Sequence, residues 1–289
     1  QTTRAAALYK QGRNAYTSGR GRGLLFQDDR RVQTDFGLVC TSPWSAAVKL
    51  DVNAQTVLGT GSAARGGYDV SRGGDAPWNE HPRGNYLLGL DRERPHAVTD
   101  SAASATSMTS GIKTYNAALN VSVDGEQVVP IARRLQAEDD FKIGVVTSVP
   151  VSHATPAAAY ANNVTRKDYQ DLSRDMLGLP SSSHRGDPLP GVDVLIGGGW
   201  GKTVKEDAAQ GDNYLPGNPY LHESDIERAD VKHGGHSVVA QRSSGKPGRR
   251  TLMKAARRAA ENDERLLGFF GTRFDGHLPF QTADGGFDP

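Results

Sequence analysis

One cysteine, Cys40, stands in 289 residues. No disulfide can close within the chain, so cysteine usage assigns no compartment. The side chain reads as a small buried apolar group in a strand. Long hydrophobic runs are missing too: no stretch approaches the roughly 20 apolar residues of a membrane-spanning helix. Nor does charge of one sign dominate. Lys and Arg number 34 against 33 Asp and Glu, a formal net charge of +1, which makes no case for nucleic-acid specificity despite local arginines. The sequence does not open on methionine, and its first residues do not read as a signal peptide. The opening Gln1-Thr-Thr-Arg-Ala reads as the middle of a helix, and Gly286-Phe-Asp-Pro289 lies inside a loop. Both ends look cut, and the expectation is a fragment or a processed piece.

What is present points to a soluble chain with much loop: 34 glycines, 15 prolines and 36% hydrophobic residues. Its length buries a sizeable core as one large α/β domain or two small ones, and a single domain over 1–289 is expected. Helices are expected over Thr3–Lys10, Val129–Gln136, Lys167–Leu177 and Arg249–Asn262. Strands are expected at Phe36–Thr41, Phe141–Thr147, Val192–Ile196 and Leu266–Phe270, and a hairpin-like excursion at Asn120–Gly125. Strands alternating with helices predict an α/β fold built on a mostly parallel central sheet. Residues 42–95 read as loop throughout, an inserted excursion or a lid.

The chain is organised around Val98-Thr-Asp-Ser-Ala-Ala-Ser-Ala-Thr-Ser-Met-Thr-Ser-Gly111. Ala97 and Val98 read as the end of a short buried strand and Ala102–Ser110 as a helix that Gly111 stops. Ser101 therefore falls at a helix N-terminus, where the dipole favours a phosphate or the alkoxide of a nucleophile. Asp-Ser before an alanine run is equally a plain helix cap. A second informative run, Ser152-His-Ala-Thr-Pro156 with Val164-Thr-Arg-Lys167 beyond it, follows the strand at 141–147. In an open parallel sheet both runs would face the crevice at the strands' carboxyl ends.

Together these runs resemble the alkaline phosphatase family. Its nucleophile segment is matched by Val98, Asp100, Ser101, Ala102, Ser104, Ala105 and Thr106, followed by Gly111, Lys113 and Thr114. The His-Ala-Thr-Pro region and Gly191-Val-Asp-Val-Leu-Ile-Gly-Gly-Gly199 match further. Leu266-Leu-Gly-Phe-Phe-Gly and Asp275-Gly-His-Leu-Pro are weaker matches. The resemblance implies a three-layer sandwich, incomplete at both ends, that hydrolyses phosphate monoesters through a phosphoserine on Ser101. It implies that Arg166 grips the phosphate, a task suited to a planar guanidinium, and that Asp100 steers that arginine. It also implies two zinc ions and one magnesium ion, with Ser101 on a zinc, Thr155 the hydroxyl ligand of magnesium and His153 beside that ion, acting through a water. Periplasmic or extracellular placement and a homodimer follow from the same resemblance.

The family's remaining metal motifs are missing: there is no Asp-Gly-Met, no Asp-x-x-x-His and no Asp-His pair. Taken literally, the chain should not hold both zinc ions. A related phosphodiesterase or sulfatase, and a non-catalytic anion-binding module, therefore stay open. Three local patterns lead elsewhere. Gly199-Trp-Gly-Lys-Thr203 ends like a nucleotide-binding P-loop but has Ile196 where the first glycine belongs. His233-Gly-Gly-His236 lacks supporting carboxylates and reads as a surface loop. Asn120-Val-Ser122 and Asn163-Val-Thr165 are glycosylation sequons by pattern alone.

Overall fold

The computed structural model describes residues 48–60, 99–241 and 245–271. The expected helix at Thr3–Lys10, the strands at Phe36–Thr41 and Ala97–Val98, and Asp275-Gly-His-Leu-Pro all lie outside them.

Four parallel strands form the central sheet: β3 (Gly144–Pro150), β4 (Val194–Gly198), β5 (Ser237–Gln241) and β6 (Arg265–Phe269), in the order β3-β4-β6-β5. Side chains alternate across a strand, and the two faces receive different layers. Val145, Leu195, Leu267 and Phe269 point into the larger core with Ala102, Ala105, Leu172 and Met176. Val194, Ile196, Val238, Ala240 and Leu266 point the other way, against Leu252, Ala255 and Ala259 of a long helix over Gly248–Asn262. Helices therefore cover both faces, which makes the described part an α/β three-layer arrangement.

The larger core is built from α1 (Ser101–Ser110), α2 (Ile131–Asp139), α3 (Ala154–Ala158) and α4 (Tyr169–Leu177). The small side chains Ala102, Ala105, Ala154, Ala157 and Ala158 let α1 and α3 pack closely. Asn120 stitches them together. Its amide donates to the carbonyls of Ala158 and Ala161 at 2.8 Å each, and its oxygen accepts from Thr109 and Ser110. With Asn120 and Asn163 fully buried, both glycosylation patterns are internal structure.

Several expectations shift. The strand expected at Phe141–Thr147 starts three residues later, and the β-branched run is not buried throughout: Val146 is 71% exposed, because β3 is an edge strand among the described residues. A strand (β5) and a helix, α5 (Glu223–Ala229), escaped the sequence reading, being short and polar at their flanks. The stretch 42–95 is not all loop, since β1 (Val48–Asp51) and β2 (Thr56–Thr60) make an antiparallel hairpin in it. The hairpin is docked: Gln55 in its turn, at φ 53°, accepts from the Val164 amide and donates to Asp168. Asn53 pairs in both directions with Asp212. The Gly248–Asn262 helix, α6, matches its expected span within one residue. No helix among the described residues is long and apolar enough to cross a membrane.

Candidate functional site

Asp100 organises the site. Its backbone is extended, and its Oδ1 accepts from the Ala103 amide at 2.9 Å, so it is the N-cap of α1. Its Oδ2 accepts from the Ala117 amide at 3.1 Å and from Arg166 Nη1 at 3.2 Å. Its own amide donates to Asn116 Oδ1 at 3.0 Å. The turn at 116–117 also receives the Arg166 amide on the Ala117 carbonyl, at 2.7 Å. One carboxylate thus starts the helix and aims the arginine.

Ser101 is the first residue of α1 and is exposed. Arg166 Nη1 lies 2.5 Å from its Oγ. The arginine side chain is 27% exposed, and among the described residues its other guanidinium nitrogens make no hydrogen bond. Hydroxyl, guanidinium and helix N-terminus converge where a tetrahedral anion would be held by charge and attacked by the hydroxyl.

The second expected run follows β3. His153 is the N-cap residue of α3, with an extended backbone, and Thr155 is exposed in the first turn. His153 is wedged between two tyrosines: its ring stacks on Tyr169 at 5.6 Å and meets Tyr220 edge-on at 5.4 Å, while the tyrosines lie 5.2 Å apart. Tyr169 opens α4, three residues after Arg166. Its hydroxyl is pushed up from the ordinary pKa by burial and the neighbouring Tyr220, against the pull of Arg166 and Lys202. Sequence reading missed Tyr169 and Tyr220, because ring contacts between residues far apart in the chain leave no local pattern.

Behind Arg166, the N-terminus of α4 buries an unusual polar group. Asp168 is fully buried, and its Oδ2 takes three side-chain amides, from Gln55, Asn163 and Asn213 at 3.2, 3.0 and 2.8 Å. Its Oδ1 has no partner among the described residues. Asn163 also donates to Asp171 at 3.2 Å, so one amide bridges two buried carboxylates. Burial and the nearby Asp171 raise the Asp168 pKa, and burial likewise raises that of Asp171.

As to metals, no group of three or more His, Cys, Asp or Glu among the described residues could hold an ion. His233 and His236 are both exposed.

The family model described as Alkaline phosphatase matches residues 84–284. The chain is 33% identical to Alkaline phosphatase 3 of Bacillus subtilis over 42% of itself and 26% of that protein. It is 30% identical to an alkaline phosphatase of Escherichia fergusonii over 68% of itself and 38% of the relative. The chain thus spans well under half the length of these curated relatives. A solved cold-active alkaline phosphatase from Shewanella sp. aligns at 24% identity and TM-score 0.40, over 66% of this chain and 36% of that one.

Proposed function

The chain belongs to the alkaline phosphatase family, and on that premise we propose that it hydrolyses phosphate monoesters with Ser101 as the nucleophile. The observation that carries the reading is Arg166 held by Asp100 at 3.2 Å with its Nη1 2.5 Å from the Ser101 Oγ. Arg166 binds two non-bridging phosphate oxygens and brings the phosphorus against the hydroxyl. Ser101 attacks in line, and the proton its hydroxyl releases ends on the departing alcohol oxygen. The ester P–O bond breaks, the alcohol leaves, and a phosphoserine remains. Water then attacks the phosphoserine, releasing inorganic phosphate and restoring the hydroxyl. The guanidinium offsets the charge on the equatorial oxygens in both steps.

The two zinc ions that the resemblance implies do not fit the described residues, which offer no cluster of three suitable donors. A zinc pair would need donors from outside them, and no step is drawn through it. For magnesium the described residues offer less than a site: one hard oxygen donor, the exposed Thr155 hydroxyl, with His153 two residues away. Placement in the periplasm or outside the cell, and pairing into a homodimer, belong to the same proposal and rest on the resemblance.

The test is turnover of a chromogenic aryl phosphate, with zinc and magnesium supplied, for the chain and for Ser101→Ala, together with acid quenching to trap a phosphoserine. Turnover and a trapped phosphoserine, both lost in Ser101→Ala, support the reading. Orthophosphate binding without turnover would make the chain an anion-binding module. Turnover of an aryl sulfate or a diester in preference to the monoester would point to the related hydrolases.

A further inference from the structure

The run Gly199-Trp-Gly-Lys-Thr203 fails as a P-loop, yet the fold places it at the site. β3 and β4 are parallel neighbours, with Pro150 opposite Gly198, and the Val151 amide donates to the Gly198 carbonyl at 3.1 Å. The segments leaving these two strands therefore emerge side by side at the sheet's carboxyl edge. One carries His153 and the other carries Lys202.

Side-chain contacts continue the link. Lys202 Nζ sits 5.6 Å from the centre of the Tyr220 ring, and Tyr220 packs on both His153 and Tyr169. Arg166 and Lys202 both act electrostatically on Tyr169. Lys202 is half-buried, and among the described residues it has no carboxylate partner. The nearby acid, Asp207, also acts on Tyr169. It is engaged locally, its Oδ1 accepting from the Ala209 amide at 3.2 Å and its Oδ2 from Gln210 at 3.0 Å. Two cations thus act on one packed pair of tyrosines: Lys202 lies over Tyr220, which packs on Tyr169, and Arg166 points at the nucleophile.

We propose that Lys202 and Tyr169 form a leaving-group subsite beside Arg166, selecting phosphate monoesters whose leaving group carries a second anionic group. Arg166 holds the phosphate that Ser101 attacks, the body of the leaving group lies along Tyr169, and Lys202 receives the second anion. A lone ammonium over a ring binds carboxylate or phosphate as a point charge with no demand on orientation, which suits a varied leaving group. The assignment rests on the phosphomonoesterase reading, since Arg166 defines the first anion site.

The experiment measures binding by titration calorimetry of two stable probes, methylphosphonate and phosphonoacetate, which share the phosphonate and differ in a second anionic group. The proteins are the whole chain, Lys202→Met, Lys202→Gln and Arg166→Met, each checked for an unchanged thermal melt. The expected result is phosphonoacetate bound about fivefold more tightly than methylphosphonate, as one partly screened ion pair allows. Both Lys202 variants should lose that preference and bind methylphosphonate as before. No preference in the unaltered chain, a preference that survives in Lys202→Gln, or an equal weakening of both probes would each overturn the subsite. Methylphosphonate binding indifferent to Arg166→Met would instead overturn the phosphate reading while leaving Lys202 as an anion site. If neither probe binds, both readings fall together.

Discussion

Arg166 and Ser101 stand 65 positions apart in the chain, yet the guanidinium Nη1 lies 2.5 Å from the hydroxyl. The contact depends on Asp100, which caps the helix that begins at Ser101 and holds the arginine by its other oxygen.

Separating those two duties of Asp100 gives the first prediction. Asp100→Asn keeps an oxygen for the Ala103 amide but turns an NH2 towards the Ala117 amide and Arg166, so it should lose less stability than Asp100→Ala while orthophosphate binds more weakly. Asp100→Ala removes the cap as well and should cost about 1–2 kcal/mol of stability. Denaturant unfolding together with phosphate titration reads both quantities. Equal stability of the two variants would show that the capping bond contributes nothing.

Arg166→Lys keeps the charge and loses the planar fork. Phosphate affinity should drop about tenfold or more, the worth of a charge-assisted second hydrogen bond. Orthophosphate titration by calorimetry checks this. A lysine variant that binds as well as the arginine would show that charge alone suffices.

Asp168 predicts a pH dependence of stability. An unfolded aspartate titrates near 3.9, whereas burial beside Asp171 lifts the folded Asp168 to about 8. Between those values the folded chain keeps a proton that the unfolded chain has released. Stability is therefore greatest below pH 4 as far as this group is concerned, and is lost as pH rises towards 8. Asp171, lifted to about 6, adds a slope of the same sign. Asp168→Asn removes the main titration, so its melting temperature should vary less between pH 5 and 9. Parallel curves for the two proteins would refute the assignment.

Gly199 sits at φ 116°, and a Cβ there would lie 2.7 Å from the buried Phe269 ring and 3.3 Å from the Tyr220 Cβ. Gly199→Ala should therefore destabilise the chain by about 1–3 kcal/mol through overpacking and backbone strain. It should also disturb the Lys202 segment, since the Gly199 carbonyl accepts from Asn218 at 2.8 Å. Urea unfolding gives the first effect, and weaker phosphonoacetate binding at unchanged methylphosphonate binding gives the second.

The α/β class, the helix expected over Ala102–Ser110 and found from Ser101, the strand expected at Val192–Ile196 and found at Val194–Gly198, and the long helix α6 were legible in the sequence. Each rests on local chemistry: an aspartate cap, a glycine stop, a β-branched run, a 3.6-residue period. Asp100, Ser101, Thr155, His153 and Arg166 were marked by motif, and the fold brings Asp100, Ser101 and Arg166 within hydrogen-bond reach of one another. Only the tertiary structure decided the rest. The pairing of Gln55 with Asp168, the wedge of Tyr169 and Tyr220 around His153, and the approach of Lys202 join residues that carry no signal for one another along the chain. The reason is physical: caps and periodicities act within a turn or two of backbone, whereas these contacts exist only once parallel strands bring the segments at their carboxyl ends to one edge.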